Sequence, residues 1–360
     1  MPSADDGAPF LAEHGPARPR SVPSMADVAA LAGVSSQTVS RVSTGADHVR
    51  PETRTRVLAA MNSLGYAPNG AARALRYGNF GAIGVIAHRL ARTGESRTVE
   101  AVVEAARDKG YTVSLMDVSS PSSHDVTAAA TRLLHQAIDG LVIIRAETAT
   151  PAALALPPHL PVVVSDSRLF GHLPAVGADQ IGGTRRAVQY LLDLGHETVH
   201  HLAGPSDSSP ARLRVDAWAD TLGESNRAVP DLFQGDWSAA SGYAQGRRIA
   251  RDGSVTAVFC ANDEMAAGLF RALHEAGRRI PDDVSVVGFD NIPLADFLWP
   301  PLTTVAQDFH GIGIRLVELL LEQIRDGAEL TDSRTIVPVE LIVRSSAGPP
   351  PPRNPRSRRS

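Results

Sequence analysis

Hydrophobic positions follow two different periods along the chain. Between residues 24 and 64 they recur every three to four residues, which is the period of helices with one buried face. From residue 80 onward, short continuous apolar runs alternate with amphipathic stretches, a pattern typical of parallel strands covered by helices on both faces. The pattern therefore predicts a small helical head followed by a larger α/β core.

Three helices are predicted in the head, each with a sequence signal at its start. Ser24 and Asp27 have the spacing of a capping box, Ser35 can cap a second helix, and Pro51 is a first-turn proline. Glycines 33 and 65 end the first and third helices. The predicted helices cover residues 25–32, 36 to about 42, and 51–64.

The core contains seven strand-like runs, more than one sheet comfortably holds, so two similar lobes are predicted. A helix is predicted over residues 98–110 between the first two runs. The runs cover residues 81–87, 111–116, 140–144, 161–166, 198–204, 257–263 and 284–290.

The second predicted helix, within V-S-S-Q-T-V-S-R-V, has two distinct faces. At about 100° per residue, Val39 and Val42 fall on one arc, and hydrogen-bonding side chains fall on the opposite arc. In a helix-turn-helix the second helix enters the major groove, where Gln37 can bond an adenine edge twice and Arg41 a guanine edge twice. The alternative is the solvated face of a small helical bundle. The polar arc carries Ser36, Gln37, Ser40 and Arg41.

Charge supports contact between the head and phosphate. The net charge of the chain is −4, but residues 21–78 carry six arginines against three acidic residues, which gives +3 and leaves −7 for the rest. After Pro68 the segment N-G-A-A-R-A-L-R is most simply a linker. Its Leu75, flanked by Arg73 and Arg76, has the chemistry of a side chain that wedges into a minor-groove step.

Polar residues of the core follow strand runs, where open α/β sheets bind ligands. Each residue alone is more simply a helix cap or turn residue, and Trp237 alone a core residue. Taken together, planar polar side chains and an aromatic ring are the groups that hold a carbohydrate, so the set predicts a binding cleft. Its members are Asp166, Trp237, Asn262, Asp263, Asp290 and Asn291.

Composition limits the alternatives. The single cysteine, Cys260, excludes an intrachain disulfide and a cysteine-rich zinc site, and no run approaches the ~20 apolar residues of a membrane span. The N-terminal residues do not form a secretory signal, so a cytoplasmic location is expected. His200 and His201 point to opposite faces of a strand, so no metal is predicted, and no catalytic motif or cofactor fingerprint is present.

Taken together, the motifs of the chain resemble those of the lactose-repressor (LacI/GalR) family of bacterial transcription regulators across residues 24–345. The head motifs M-A-D-V-A-A-L-A-G-V-S-S-Q-T-V-S-R-V and R-P-E-T-R-T-R-V-L-A-A-M-N-S-L-G-Y-A-P-N are highly specific. The core contributes L-A-G-P-S-D-S-S-P-A-R-L-R, G-D-W-S-A-A-S-G-Y, A-N-D-E-M-A and P-P-L-T-T-V-A-Q-D-F.

The resemblance implies an all-helical helix-turn-helix head, a hinge helix, and a two-lobed α/β core of the periplasmic-binding-protein type. The expected boundaries are 1–20 for a disordered extension, 21–66 for the head, 67–79 for the hinge, 80–345 for the core and 346–360 for a disordered tail. Within the core, the expected N-lobe covers about 80–178 and 308–336, and the C-lobe about 179–307 and 337–345.

The resemblance also implies a repressor whose operator affinity is controlled by a sugar-like effector, with a galactoside as the working expectation. It would act as a homodimer on a pseudopalindromic double-stranded operator. The implied DNA-binding residues are Ser36, Gln37, Thr38, Ser40, Arg41, Asn69, Ala72, Arg73 and Leu75. The implied effector-binding residues are Asp166, Arg214, Trp237, Asn262, Asp290, Gln307 and Phe309, with Trp218 packing nearby.

Two features depart from the family pattern. The first strand ends in Ala87-His88-Arg89 where small polar residues are often found, and Ile144-Arg145 ends a strand where one member of the family has an amide. The Pro/Arg-rich C-terminus has no leucine-heptad helix of the kind that makes tetramers, which favours a dimer. Two alternatives are a periplasmic-type sugar-binding protein without a DNA role and a sugar-processing enzyme using Asp166 and Asp290.

Overall fold

The chain divides into two compact units, Met1–Asn79 and Phe80–Ser360. We call the second unit the core and keep the name head for residues 21–66 of the first. The computed structural model describes residues 23–43, 48–66, 79–120, 122–144, 154–165, 172–327 and 333–352.

The head contains helices α1 (Met25–Ala32), α2 (Ser36–Ser43) and α3 (Pro51–Leu64), close to the predicted bounds. The capping box forms, with the Asp27 carboxylate accepting from the Ser24 backbone and the Ser24 hydroxyl accepting from the Asp27 backbone. Apolar side chains of all three helices meet in one small core, which holds the polar side of α2 outward: Val28, Ala29, Ala32, Val39, Val42, Val57, Ala60 and Met61.

Gly33 makes the turn between α1 and α2. Its φ of +63° is left-handed, and its backbone N–H closes the C-terminus of α1. A side chain is strained in that conformation, so glycine fits this position better than other residues. The glycine-containing turn predicted from the sequence is confirmed.

The core holds two six-stranded sheets. The first sheet has the order β11-β5-β4-β3-β1-β2, and every neighbouring pair is parallel. Its strands are β1 (Ala82–His88), β2 (Thr112–Val118), β3 (Gly140–Ile144), β4 (Val162–Ser165), β5 (Ala175–Ala178) and β11 (Arg334–Val337).

The second sheet has the order β12-β10-β9-β8-β6-β7 and is parallel except for its edge pair β10–β12. Its strands are β6 (His200–Ala203), β7 (Phe233–Gln234), β8 (Ala257–Cys260), β9 (Ser285–Asp290), β10 (Thr303–Ala306) and β12 (Glu340–Ile342). We call the part of the core built on each sheet the first lobe and the second lobe.

Helices pack on both sheets, as the alternating pattern predicts. Those of the first lobe are α4 (Thr93–Asp108), α5 (Ser123–His135) and α10 (Phe309–Asp326), and those of the second are α6 (Gln180–Asp193), α7 (Ser209–Glu224), α8 (Ala239–Ile249) and α9 (Asp263–Glu275). The chain passes between the sheets after β5, after β10 and after β11, so the lobes share three connections.

Three predictions about the core need correction. The helix predicted over residues 98–110 begins earlier, at Thr93, and ends at Asp108, so that residues 93–97 bring its start close to the end of β1. Five short strands (β5, β7, β10, β11 and β12) have no strong apolar run and were not predicted. The prediction of disorder from residue 346 onward is wrong for its first residues: Ser346 is fully buried, its hydroxyl donates to the Val286 carbonyl at 2.6 Å, and Gly348 bonds to Ser285.

Candidate functional sites

The outer face of α2 is polar and accessible. Ser36, Gln37 and Arg41 are exposed and Thr38 and Ser40 half-buried, whereas Val39 and Val42 are buried in the head core. The Ser35 hydroxyl lies 3.0 Å from that of Thr38 and accepts from its backbone N–H, so Thr38 completes the helix cap. The row presents hydrogen-bonding groups of the kind that read base edges in a major groove.

Five of the predicted binding residues lie outside the described part of the chain, and their roles stay predictions. They are Asn69, Ala72, Arg73 and Leu75 of the hinge and Asp166 of the effector site.

A cavity of about 470 Å³ lies between the two lobes of the core. The first lobe lines it with residues 89–94 and Asp117, and the second lobe with residues 236–239, Glu264 and four of the predicted effector residues. The structure therefore brings together Arg214, Trp237, Asn262 and Asp290, which are up to 76 positions apart in the sequence.

Arg214 is held on all sides in the wall of this cavity. Its side chain on α7 is 1% exposed, forms an ion pair with Asp290 at 3.6 Å, and donates to the Gln180 side chain at 2.8 Å and to the Ala261 carbonyl. Its guanidinium carbon lies 3.6 Å from the centre of the Phe289 ring. This planar, desolvated cation is fixed in one orientation, as bidentate recognition of hydroxyl or carboxylate oxygens requires.

Asp290 and Gln307 complete a closed ring of polar contacts with Arg214. Gln307 donates to Asp290 at 2.5 Å and accepts from Gln180 at 3.2 Å, and Gln180 in turn accepts from Arg214. Asp290 ends β9 with a φ of +112°, a conformation that L-residues rarely adopt. The ring offsets the cost of burying both charges and holds the Asp290 carboxylate at the cavity wall.

Asn262 and Trp237 are tied to each other beside this ring. Asn262 caps α9, with its side-chain oxygen accepting from the Met265 N–H at 3.0 Å and its amide donating to the Trp237 carbonyl at 2.9 Å. Trp237, with a left-handed φ of +76°, packs its ring against Gly204, where a Cβ would come within 2.6 Å of the indole. Glycine at 204 therefore makes room for the flat apolar wall that Trp237 provides.

Two predicted effector residues lie elsewhere. Phe309 and Gln307 line a separate pocket of about 350 Å³ with residues of α4, and the Arg97 guanidinium carbon lies 5.9 Å from the centre of the Phe309 ring. Gln307 acts on the main cavity through its bond to Asp290. Their direct contact with an effector stays a prediction.

Two strand-end residues are used inside the second lobe instead of lining the cavity. Asp263 is buried and accepts from the Thr304 hydroxyl at 2.6 Å and from the Ile292 N–H at 2.9 Å. Burial, together with the nearby Asp290 charge, raises the pKa of Asp263 well above its ordinary value. The Asn291 side chain accepts from Arg344 at 2.8 Å. For Asp263 and Asn291, the simpler interpretation as structural polar residues therefore holds.

The residue pattern did not predict the first-lobe wall, apart from the departure from the family pattern at Arg89. Arg89 is exposed, left-handed with a φ of +58°, and lines the cavity together with Arg92 and Thr93. The neighbouring His88 is turned inward, with its Nδ1 2.9 Å from the Val118 carbonyl. A charged residue immediately after a buried strand was the one available signal for this wall.

Opposite charges face each other across the cavity. On the second-lobe side, the hydroxyl and backbone N–H of Ser238 donate to Asp236 at 2.5 and 3.0 Å. The Ser238 hydroxyl holds the pKa of Asp236 below its ordinary value, and Arg89 of the first lobe acts in the same direction.

His201 lies behind the cavity. It is fully buried on β6, with its ring 4.8 Å from that of Phe259 and 5.4 Å from that of Trp218, and its Nδ1 is 2.9 Å from the Phe259 carbonyl. Burial lowers the pKa of His201 to about 4, and the Arg214 charge acts in the same direction. His201 is therefore a neutral packing residue at physiological pH.

The described part of the chain holds neither a candidate metal site nor a candidate membrane span. Within the described ranges, His, Cys, Asp and Glu side chains do not gather in any group of three or more that could hold a metal ion. Among the helices described above, none is both long and apolar enough to cross a membrane.

A helix-turn-helix with an exposed polar recognition face, in a chain whose core encloses a cavity between two lobes, defines a ligand-responsive DNA-binding regulator. Residues 24–69 match the bacterial regulatory proteins, lacI family, and residues 188–347 match the periplasmic binding protein-like domain. The chain is 38% identical over 326 residues to the lactose operon repressor of Escherichia coli (strain K12), with 89% of each chain covered. It belongs to the lacI family of bacterial regulatory proteins.

Further relatives agree with this assignment. The ribose operon repressor of Escherichia coli (strain K12) is 31% identical over 90% of this chain and 99% of its own. The crystal structure of the lac repressor dimer bound to operator and the anti-inducer ONPF is 34% identical and superposes with a TM-score of 0.79 over 91% of this chain and 99% of that chain. The transcriptional regulator CelR–cellobiose complex is 28% identical with a TM-score of 0.66, over 90% of this chain and 100% of that chain.

These comparisons confirm the predicted family and fold class. They also confirm the prediction that the chain is a transcription regulator and not an enzyme, because the relatives are repressors.

Proposed function

We propose that this protein is a cytoplasmic repressor that binds a pseudopalindromic operator as a homodimer and responds to a small sugar-like effector. The observation that carries the proposal is the pairing of two features in one chain. The recognition helix α2 shows an exposed polar row, and the core holds a buried Arg214–Asp290 pair in a cavity between two lobes.

Operator recognition is assigned to the outer face of α2. Gln37 and Arg41 reach base edges, Ser36 and Ser40 bond to bases or phosphates, and Thr38 holds the start of the helix. The hinge residues Asn69, Ala72, Arg73 and Leu75 are proposed to bind the minor groove, with Leu75 as the wedge and Ala72 at the contact between two copies. The structure of the lac repressor dimer bound to operator supports operator binding by two copies of the chain.

The effector is proposed to bind in the 470 Å³ cavity. Arg214, Asn262 and Asp290 would hold sugar hydroxyls, and Trp237 would lie against the C–H face of a ring, with Asp166, Gln307 and Phe309 as further candidates. Acidic and basic side chains both line the cavity, which favours a neutral polyhydroxylated ligand over a strongly charged one. Similar solved structures are the lac repressor bound to ONPG and the CelR–cellobiose complex, and we propose a galactoside or related sugar here.

DNA binding tests the proposal directly. The purified chain should bind its own promoter DNA with an affinity that falls by at least about tenfold between roughly 50 and 200 mM salt, because phosphate contacts release counterions. Arg41→Ala should weaken binding by about tenfold or more, the loss expected for one bidentate base contact. Fluorescence anisotropy with labelled DNA measures both effects.

The control is Arg185→Ala, which removes an exposed arginine of the core that pairs with Glu224. It should leave DNA affinity unchanged. If the parent chain binds sugar but shows no salt-dependent DNA binding, the protein is a sugar-binding protein of the periplasmic type, and the repressor proposal is wrong.

A further inference from the structure

Glu264 contacts both lobes at the cavity. It lies in the first turn of α9 in the second lobe and lines the cavity. One carboxylate oxygen accepts from the Thr93 hydroxyl, at the start of α4 in the first lobe, and the other accepts from the Asn262 side-chain amide at 2.8 Å. A single side chain therefore joins the two lobes and an expected effector residue.

The same contacts occupy the Asn262 amide. Its two N–H groups donate to Glu264 and to the Trp237 carbonyl, and its oxygen accepts from the Met265 N–H. An effector hydroxyl that accepts a hydrogen bond from Asn262 must therefore compete with Glu264. When Glu264 turns away from Asn262, its bond to Thr93 loses its fixed geometry as well.

Charged residues that line the cavity favour the arrangement in which Glu264 contacts both lobes. The first-lobe side carries Arg89, together with Asp117 and an Arg92 that pairs with Glu95 at 3.4 Å, and the second-lobe side carries Asp236 and Glu264. Arg89 and Asp236 attract each other across the cavity, and this attraction is strong only while the lobes are close.

We propose that the Thr93–Glu264 hydrogen bond is a latch between the lobes, and that an effector opens it by taking over the Asn262 amide. Thr93 and Glu264 are positioning residues in this scheme. A ligand can shift the lobes only if it binds one arrangement better than the other, and competition for Asn262 supplies that difference. The link to an effector rests on the function proposed above, whereas the latch itself can be tested without DNA or sugar.

The test compares three variants of the full chain without sugar, by hydrogen–deuterium exchange of the segment 262–266. Thr93→Val keeps the shape of the side chain and removes the donor, so exchange at the second-lobe residues Met265 and Ala266 should rise several-fold, because Glu264 no longer braces the start of α9. Thr93→Ser restores the donor and should exchange as the parent does. Thr98→Val, on the same helix, removes a hydroxyl that bonds only within α4, to Gly94, and should have no effect on this segment.

Each result of the exchange measurement either supports the latch or overturns it. Faster exchange across the cavity in Thr93→Val alone supports the latch. Parental exchange in Thr93→Val, or equally fast exchange in Thr98→Val, overturns it.

Titration with galactose, lactose and cellobiose, followed by tryptophan fluorescence, tests the link to the effector. A sugar that binds the parent should bind Thr93→Val about three- to tenfold more tightly, since the competing contact is weakened. Equal or weaker binding overturns the competition for Asn262. If none of the three sugars binds, the choice of sugar class is wrong, and the exchange measurement still decides the latch.

Discussion

The second-lobe wall and the first-lobe wall of the cavity differ in how their side chains are held. In the second lobe, Arg214 and Asp290 are buried within a ring of hydrogen bonds that also includes Gln180 and Gln307. In the first lobe, Arg89 is exposed at the end of β1 in a left-handed conformation. The difference indicates that the second lobe provides a preorganised binding surface, whereas the first lobe provides adjustable charge around it.

The largest effect is expected where the preorganised wall is broken. Arg214→Ala leaves Asp290 buried without its cation, so the free energy of unfolding should fall by about 3 kcal/mol or more. The sugar response should disappear while DNA binding remains, because the head folds around its own core. Urea denaturation and DNA-binding titrations with sugar measure the two effects. A fully inducible Arg214→Ala protein would remove the residue from the effector site.

A smaller effect is expected from pH, through His201 behind the same wall. Its pKa is about 4 in the folded chain and ordinarily about 6.5, so the unfolded state takes up the proton first as pH falls. The free energy of unfolding should therefore decrease between about pH 6.5 and 4, by on the order of 3 kcal/mol at the lower end. Chemical denaturation at a series of pH values measures this loss.

His201→Phe isolates that contribution. Phenylalanine keeps the aromatic packing with Phe259 and Trp218 but cannot take up a proton, so its stability should fall less steeply over the same pH window. Asp263, whose pKa is raised, acts in the opposite direction but is present in both proteins. Parallel pH profiles for the parent and His201→Phe would contradict a buried neutral histidine.

The smallest effect is expected on the first-lobe wall. Arg89→Gly should be more stable than Arg89→Ala by about 1 kcal/mol, since glycine adopts the left-handed conformation of that position without strain. Both variants remove an exposed charge and should change sugar affinity by less than about tenfold. Thermal denaturation and sugar titration measure the two quantities. Equal stability of the two variants would show that the left-handed conformation is not maintained in solution.

The head was predictable because its signals are local. Ser24 and Asp27 form the capping box, Gly33 is the left-handed turn, and Val39 and Val42 are the buried side of α2. Each of these features depends on residues within a few positions of one another. Periodicity and capping chemistry therefore define the head almost completely.

The strands of the core were predictable where the sequence carries a recognisable apolar or β-branched run. β1 and β9 are continuous buried runs, whereas β5 reads A-V-G-A and β7 has two residues, so neither has a strong pattern of its own. These short strands form because neighbouring strands offer unpaired backbone groups, which is a tertiary effect. Local sequence does not carry that information.

The cavity was predictable in part. Asn262 and Asp290 were identified from their positions after strand runs and Arg214 through the family resemblance, and the structure brings the three together. Glu264 and Thr93 look like ordinary helix-start residues in the sequence, because acidic and hydroxyl side chains are common there. Their contact joins positions 171 residues apart and is visible only in the fold.

Occupancy of the core cavity is expected to change DNA binding by the head. Titration of the full chain with its own promoter DNA at low salt, with and without galactose, lactose and cellobiose, tests it most directly. At least one sugar should change DNA affinity by about fivefold or more in the parent and leave the DNA affinity of Arg214→Ala unaffected. DNA affinity that is absent, or the same under all of these conditions, would contradict it.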